Sequence, residues 1–324
     1  MDETGRGKLV FESCLAPFME KFLTEKHACG SKYERESLSL RNLDRFLLKE
    51  GFSESELRKE DLEGWTAKKP HERPASQAFR LSVARQFSKF LLRQGLNAHE
   101  PVRTRRIPAD FVPRIFSSNE VSRILIAVDQ MRPDRNSRLR HLIFPELFRL
   151  YYACGLRCQE PLHLTVADVD LTEGVLAIAG KLRKRLVPVS ESLKDRLRAY
   201  NAKRGRRKER DLFFPSPQGG PYSHNAVYGV FRWALRAAGI QHGGRGRGPR
   251  LHDLRHTFAV HCLVRWYRQG LNLDAQLPVL AAYMGHSSLE GTQRYLRLTA
   301  DLFPDVAARL GAMFGHIIPE GVQS

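Results

Sequence analysis

Four short segments carry residues whose types and spacing suit work on a phosphate. CGLRCQEPLHL holds Arg157 and Glu160, and AGKLRKRLVPV holds Lys181 beside Arg183, Lys184 and Arg185. LHDLRHTFAVH holds His252 and Arg255 at H-x-x-R spacing, and YMGHSSLEGTQRYL holds His286 and Tyr295. Two arginines can grip the non-bridging oxygens of a phosphodiester with planar, permanently charged forks, so no metal is strictly required to neutralise the charge building at phosphorus. A tyrosine hydroxyl is a usable nucleophile, but its pKa of about 10 means that a neighbour must take its proton. Histidine is the natural acceptor near neutral pH. The departing sugar oxygen is a basic alkoxide that needs a positioned acid, and a lysine on a hairpin tip could supply it.

These residues need elements to hold them. Arg157 and Glu160 stand one helical turn apart, His252 and Arg255 share one helix face at their spacing, and Tyr295 follows His286 by a little over two turns. Val175, Leu176 and Ile178 read as one strand and Leu186, Val187 and Val189 as another, joined by a Gly-Lys-rich turn that carries Lys181. Ser117 or Ser118 with Glu120 signals a helix start. Upstream, Phe11, Leu15, Phe18, Phe22 and Leu23 recur at helical spacing, as do Leu43, Phe46 and Leu47, and then Phe79, Val83, Phe87, Phe90 and Leu91. Gly30-Ser31, Gly51-Phe52-Ser53 and the stretch from Pro70 to Pro74 are the expected breaks. The expected fold is mainly α with a small β-hairpin or sheet. A helical domain spans 1–100, a basic proline-containing linker 101–113, a catalytic domain 114–299 and a tail helix 300–324. The linker carries Arg103, Arg105 and Arg106, and the tail places Leu302, Val306, Leu310, Met313, Phe314 and Ile317 on one stripe.

Charge narrows the partner. Lysine and arginine total 53 against 35 aspartates and glutamates, a formal net charge of +18. So large an excess points to a polyanion, because basic side chains displace condensed counterions from phosphates. No basic amphipathic helix with an aromatic face supports a membrane surface instead. MDETGRGKLVFESC lacks the basic-then-apolar pattern of a signal peptide, and no apolar run nears the roughly 20 residues of a membrane span. A cytoplasmic, nucleoid-associated protein is expected. The five cysteines lack the spacing of a disulfide framework. Cys154 and Cys158, one turn apart, read as small buried residues ahead of a redox or metal pair.

The order R…K…H-x-x-R…G-H…Y, with GLRCQE, HDLRHTFA and MGHSSLEGTQRYL, resembles the tyrosine recombinase (phage integrase) family over residues 113 to 300. The resemblance implies that Arg157 and Arg255 clamp the scissile phosphate, that Lys181 is the general acid and that His252 accepts the proton of Tyr295. It further implies that His286 hydrogen-bonds the phosphate and that Glu160 orients its neighbours. Arg103, Arg105, Arg106, Arg183, Lys184 and Arg185 would contact DNA. Among the tyrosines, Tyr222, Tyr228 and Tyr283 are rivals, and Tyr295 has the family's distance from His286. The family's chemistry is two transesterifications through a 3′-phosphotyrosyl link, with neither cofactor nor ATP. Its members act on double-stranded DNA as tetramers on two duplexes, some with accessory proteins, passing the tail between subunits. The N-terminal part resembles the core-binding domain by position and size. The long stretch from Arg255 to His286 is more similar to recombinases of transposons and mobile elements, and Met284 stands where leucine is usual.

Duller readings compete. His252 and His256 at i,i+4, with His261 and His286 at hand, could bind zinc, although the H-E-x-x-H carboxylate is missing. His256 otherwise reads as a packed or phosphate-facing histidine. A catalytically silent DNA-binding accessory protein on the same fold, and a metal-dependent nuclease, are the alternative functions.

Overall fold

The computed structural model describes residues 10–53, 56–102, 112–180, 184–205, 207–244, 248–286, 288, 290–293 and 295–296. The chain divides into two compact units, 1–111 and 112–324.

Among the described residues, the first unit has four helices: α1 (Ala16–Ala28), α2 (Glu34–Lys49), α3 (Lys59–Thr66) and α4 (Pro74–Arg93). Pro74 opens α4 at a position where its missing N–H costs nothing. Leu40, Leu43 and Leu47 of α2 and Val83, Phe87, Phe90 and Leu91 of α4 line the interior at helical spacing. Phe22 sits among Tyr33, Phe87 and Phe90 at ring separations of 5.6, 5.6 and 5.3 Å. Helix α3 escaped the sequence pattern because it buries only Leu62 and Trp65, too few to show a period.

The second unit starts with α5 (Ser118–Asp129). Its capping box closes as expected: Glu120 N–H donates to Ser117 Oγ at 3.2 Å, and Ser117 N–H to Glu120 Oε2 at 2.9 Å. Next, α6 (Arg140–Ala153) is buried on nearly every side and packs on α5, on α7 (Glu191–Arg204) and on α9 (Asp253–Arg268). Between α6 and α7 lies an antiparallel sheet of β1 (Val169–Asp170), β2 (Val175–Ile178) and β3 (Arg185–Pro188), ordered 1-2-3. Leu176 pairs with Val187, both turned inward, and the neighbouring Leu186 faces solvent. Two features differ from the expected hairpin. A two-residue edge strand, β1, joins it, and Val189 leaves the ladder, its N–H donating to Gly174 O at 2.9 Å as the chain turns towards α7. The unit is completed by α8 (His224–Ala237), α10 (Leu273–Met284) and the short α11 (Glu290–Gln293).

Ala259, Val260, Leu263 and Val264 of α9 pack with Leu277, Leu280 and Met284 of α10 and with Tyr295 in a separate apolar cluster. The expected linker arginines and the tail stripe fall outside the described residues. Among the described residues, no helix is long and apolar enough to cross a membrane.

Candidate active site

Arg157 and Glu160 do not share a helix. Helix α6 ends at Ala153, Gly155 turns the chain at φ +56°, and Glu160 N–H bonds Arg157 O at 2.9 Å within a tight turn. A side chain at 155 would run into the Phe258 ring, so glycine is needed on two counts. His252 and Tyr295 also sit differently from a simple helical reading. His252 is the N-cap of α9, with Arg255 in the first turn. Between His286 and Tyr295, α10 stops at Met284, Gly285 adopts a left-handed conformation, and α11 follows. The spacings held because turns, not continuous helix, return these side chains to one place.

That place is tied together by guanidinium groups. Arg255 is 2% exposed and donates to Gly155 O at 2.6 Å and to Met284 O at 2.8 Å. Arg157 donates to Glu160 Oε1 at 2.9 Å and to Gly285 O. Burial, then the like charge of Arg157, pulls the Arg255 pKa to about 10, which leaves it fully charged near neutrality. Arg185, expected to face DNA, is turned inward. It meets Glu160 with two hydrogen bonds of 2.8 Å and Tyr283 O with one of 3.1 Å. The reason is geometric: the first position of β3 faces the carboxylate that already accepts from Arg157, and a planar fork satisfies both its oxygens. Burial alone would raise the Glu160 carboxyl, but the Arg185 and Arg157 donors outweigh it and hold it below the usual range. Lys184, by contrast, is largely exposed and pairs with Asp168 at 2.6 Å.

Arg185 therefore links the sheet to the arginine pair. Replacing Arg185 by Ala should lower stability by about 3 kcal/mol, because it leaves a buried carboxylate with only part of its compensation. The check is the urea unfolding midpoint, with Arg185→Lys expected between the two.

Tyr295 is buried, its ring stacked with that of His286 at 6.1 Å. Its hydroxyl lies 3.0 Å from Nδ1 of His256, the histidine one turn along α9 from His252, the residue expected to take the proton. The His252 ring meets His256 edge-on at 4.7 Å. His256 directly follows Arg255 and stands four residues from His252. That spacing was the signal for its place beside the tyrosine. His286 Nδ1 is 2.7 Å from the buried Thr292 hydroxyl, a partner with no sequence signal of its own. When Thr292 donates, the ring proton sits on Nε2, a donor aimed away from the threonine. The rival tyrosines are engaged elsewhere: Tyr283 with Pro188 O, Tyr222 with Ser137 Oγ and Tyr228 with His242 Nε2.

Burial first, then the charges of Arg255, Arg157 and His252, drives the His286 pKa down to about 4. The unfolded chain takes up this proton near pH 6.5 and the folded chain only near 4, so stability falls as pH drops through that window. Wild type should lose more of its urea midpoint between pH 6.5 and 4 than His286→Gln. Equal losses would remove the effect from this residue.

Lys181, Arg183, Arg103, Arg105 and Arg106 lie outside the described residues. Among the described residues, no group of three or more His, Cys, Asp or Glu is placed to hold a metal ion. Burial pushes the thiols of Cys154 and Cys158 to about 12 and about 11, so both stay protonated near neutrality.

Three guanidiniums, three imidazoles and a phenol lie together on a helical unit with a small sheet, residue types whose chemistry suits a phosphodiester. Residues 114–301 match the phage integrase family, and the chain belongs to that family, the tyrosine recombinases, enzymes that exchange DNA strands. A Sinorhizobium fredii protein named as an integrase/recombinase (y4rE) is 32% identical over 320 residues, covering 92% of this chain and 96% of its own. The tyrosine recombinase XerD of Pseudomonas putida is 33% identical over 231 residues, 69% of this chain and 71% of its own. Among solved structures, the XerH site-specific recombinase bound to its palindromic difH substrate aligns with a TM-score of 0.62 at 17% identity, covering 84% of this chain and 78% of that one. The Tn1549 transposon integrase in complex with transposon right end DNA aligns at 0.61 and 15% identity, covering 86% and 94%.

Proposed function

We propose that the chain is a site-specific recombinase that cuts and rejoins double-stranded DNA through Tyr295. The observation that carries the reading is the Tyr295 hydroxyl held 3.0 Å from an imidazole nitrogen, with Arg157, Arg255 and His286 closing the same site. The phenolic oxygen attacks phosphorus, the bond to the 5′ oxygen breaks, and a 3′-phosphotyrosyl link keeps the bond energy. Arg157 and Arg255 balance the charge on the non-bridging oxygens, and the Nε2 hydrogen of His286 adds a neutral donor. The phenolic proton passes to the histidine pair, with His256 nearest the hydroxyl and His252 against it. Lys181 gives a proton to the leaving 5′ oxygen. A 5′ hydroxyl from a partner duplex then reverses the step.

The N-terminal helical unit acts as a core-binding domain, the basic linker follows the backbone, and four copies act on two duplexes with the tail passed between them. The names of the relatives and of the Tn1549 integrase support integration, excision or transposition of a mobile element as the setting, with a nucleoid-associated location and room for accessory proteins.

The test is a nicked duplex carrying the recombination site, incubated with protein in EDTA and resolved on a denaturing gel. An SDS- and heat-stable protein–DNA species is expected. Specific binding with no such species would leave the silent accessory reading, and cleavage abolished by EDTA would favour a nuclease.

A further inference from the structure

At the end of α6 remote from Tyr295, residues 135–139 and 207–222 enclose a cavity of about 500 Å³. Arg135 and Arg138 enter it from one segment and Arg207 from the other, with Ser216 and Tyr222 also lining it. Arg140, Arg149, Arg185 and Arg196 each have a carboxylate partner. Among the described residues these three have none. Asp134, the acid beside them in sequence, is taken by Arg140 at 3.0 Å and by the Asn136 N–H at 2.9 Å. The two walls are fastened to each other: the Tyr222 and Ser137 hydroxyls lie 3.1 Å apart, and Tyr222 is buried. Directly after Tyr222, the N-terminus of α8 opens on Ser223 with no acidic residue in its first turn, which adds the positive end of a 14-residue helix. Like charges gathered in one cleft without a counterion repel, and an anion relieves that repulsion.

The scale of the cleft selects the anion. Its volume falls in the range that takes a nucleotide unit and exceeds what a lone inorganic ion fills. Helix α6 has 14 residues, so at 1.5 Å per residue the cavity lies about 20 Å from the Arg157 turn.

We propose that this arginine-lined cleft, about 20 Å from the Arg157 turn, holds a DNA backbone phosphodiester separate from the one at Tyr295, which fixes the catalytic unit on the duplex without reading bases. The assignment rests on the strand-cutting reading above and adds a second phosphate subsite to it.

Binding of a labelled 30-base-pair duplex, followed by anisotropy between 50 and 200 mM salt, tests it. The Arg135→Ala, Arg138→Ala, Arg207→Ala triple variant should lower the slope of log affinity against log salt by about 1, since a phosphate contact contributes about 0.9. Its affinity at 150 mM salt should fall about 10-fold, with the thermal unfolding midpoint kept. A control of equal charge, Lys203→Ala, Arg232→Ala, Arg236→Ala, should change the slope less. An equal drop in both triples, or no drop in the first, overturns the subsite. Calorimetry with inorganic phosphate alone should show no saturable binding. Micromolar binding that the first triple abolishes would make the cleft a free-anion site and overturn the proposal. The nicked-duplex assay on the same preparations separates the two readings. A covalent species with unchanged slopes defeats only the cleft, and its absence from wild type defeats the strand-cutting reading.

Discussion

Tyr295→Phe is expected to bind DNA like wild type and to form no covalent adduct at all. The ring belongs to the apolar cluster between α9 and α10 and stacks with His286, and phenylalanine keeps both contacts. The hydroxyl's link to His256 is lost, so the fold should give up about 1 kcal/mol. The proposed chemistry gives up its nucleophile, and strand cleavage should fall by at least about four orders of magnitude, as when a triad nucleophile is removed. Gel shift, thermal melt and the SDS gel read the three quantities separately. A residual adduct in this variant would move the nucleophile to another tyrosine.

Arg255→Lys carries the second large effect. The native guanidinium spans two carbonyls from distant parts of the chain, Gly155 O and Met284 O, while buried beside Arg157 and His286. Lysine keeps the charge but has a single point of donation, so it can hold one carbonyl or a phosphate oxygen and not the whole set. The expected result is a folded protein, destabilised by about 1 to 3 kcal/mol through the carbonyl left unpaired. Displacement of the turn bearing Arg157 by about 1 Å should slow cleavage about 10²-fold or more. Cleavage close to wild type would mean that the fork geometry does not matter here.

The second unit was more legible in the sequence than the first, for a physical reason. The proposed chemistry constrains residue type and order, so Arg157, His252, Arg255, His286 and Tyr295 stand out in the sequence even where continuous helix is the wrong local picture. The turns after α6 and α10 carried no helix period, and their glycines at 155 and 285 explain why continuous helix was the wrong picture. What stayed hidden were relations between segments. Arg185 looked like surface charge until its partner Glu160, 25 residues earlier, was brought against it by the strand pairing. Thr292 and the edge strand β1 are set by tertiary packing, which leaves no period to read. In the helical unit, α3 was lost because two buried side chains cannot establish a repeat.

The anchoring of Arg255 and Arg157 on carbonyls has a consequence for descent. Residues 155, 284 and 285 offer main-chain oxygen, a group every amino acid possesses, so the hold on the two arginines does not depend on which side chain position 284 inherits. A lineage can replace leucine by Met284, whose side chain is wholly buried among α9 and α10, and repack that cluster without disturbing the reactive groups. Hydrophobic interior and arginine-bearing face can thus drift at different speeds within one segment.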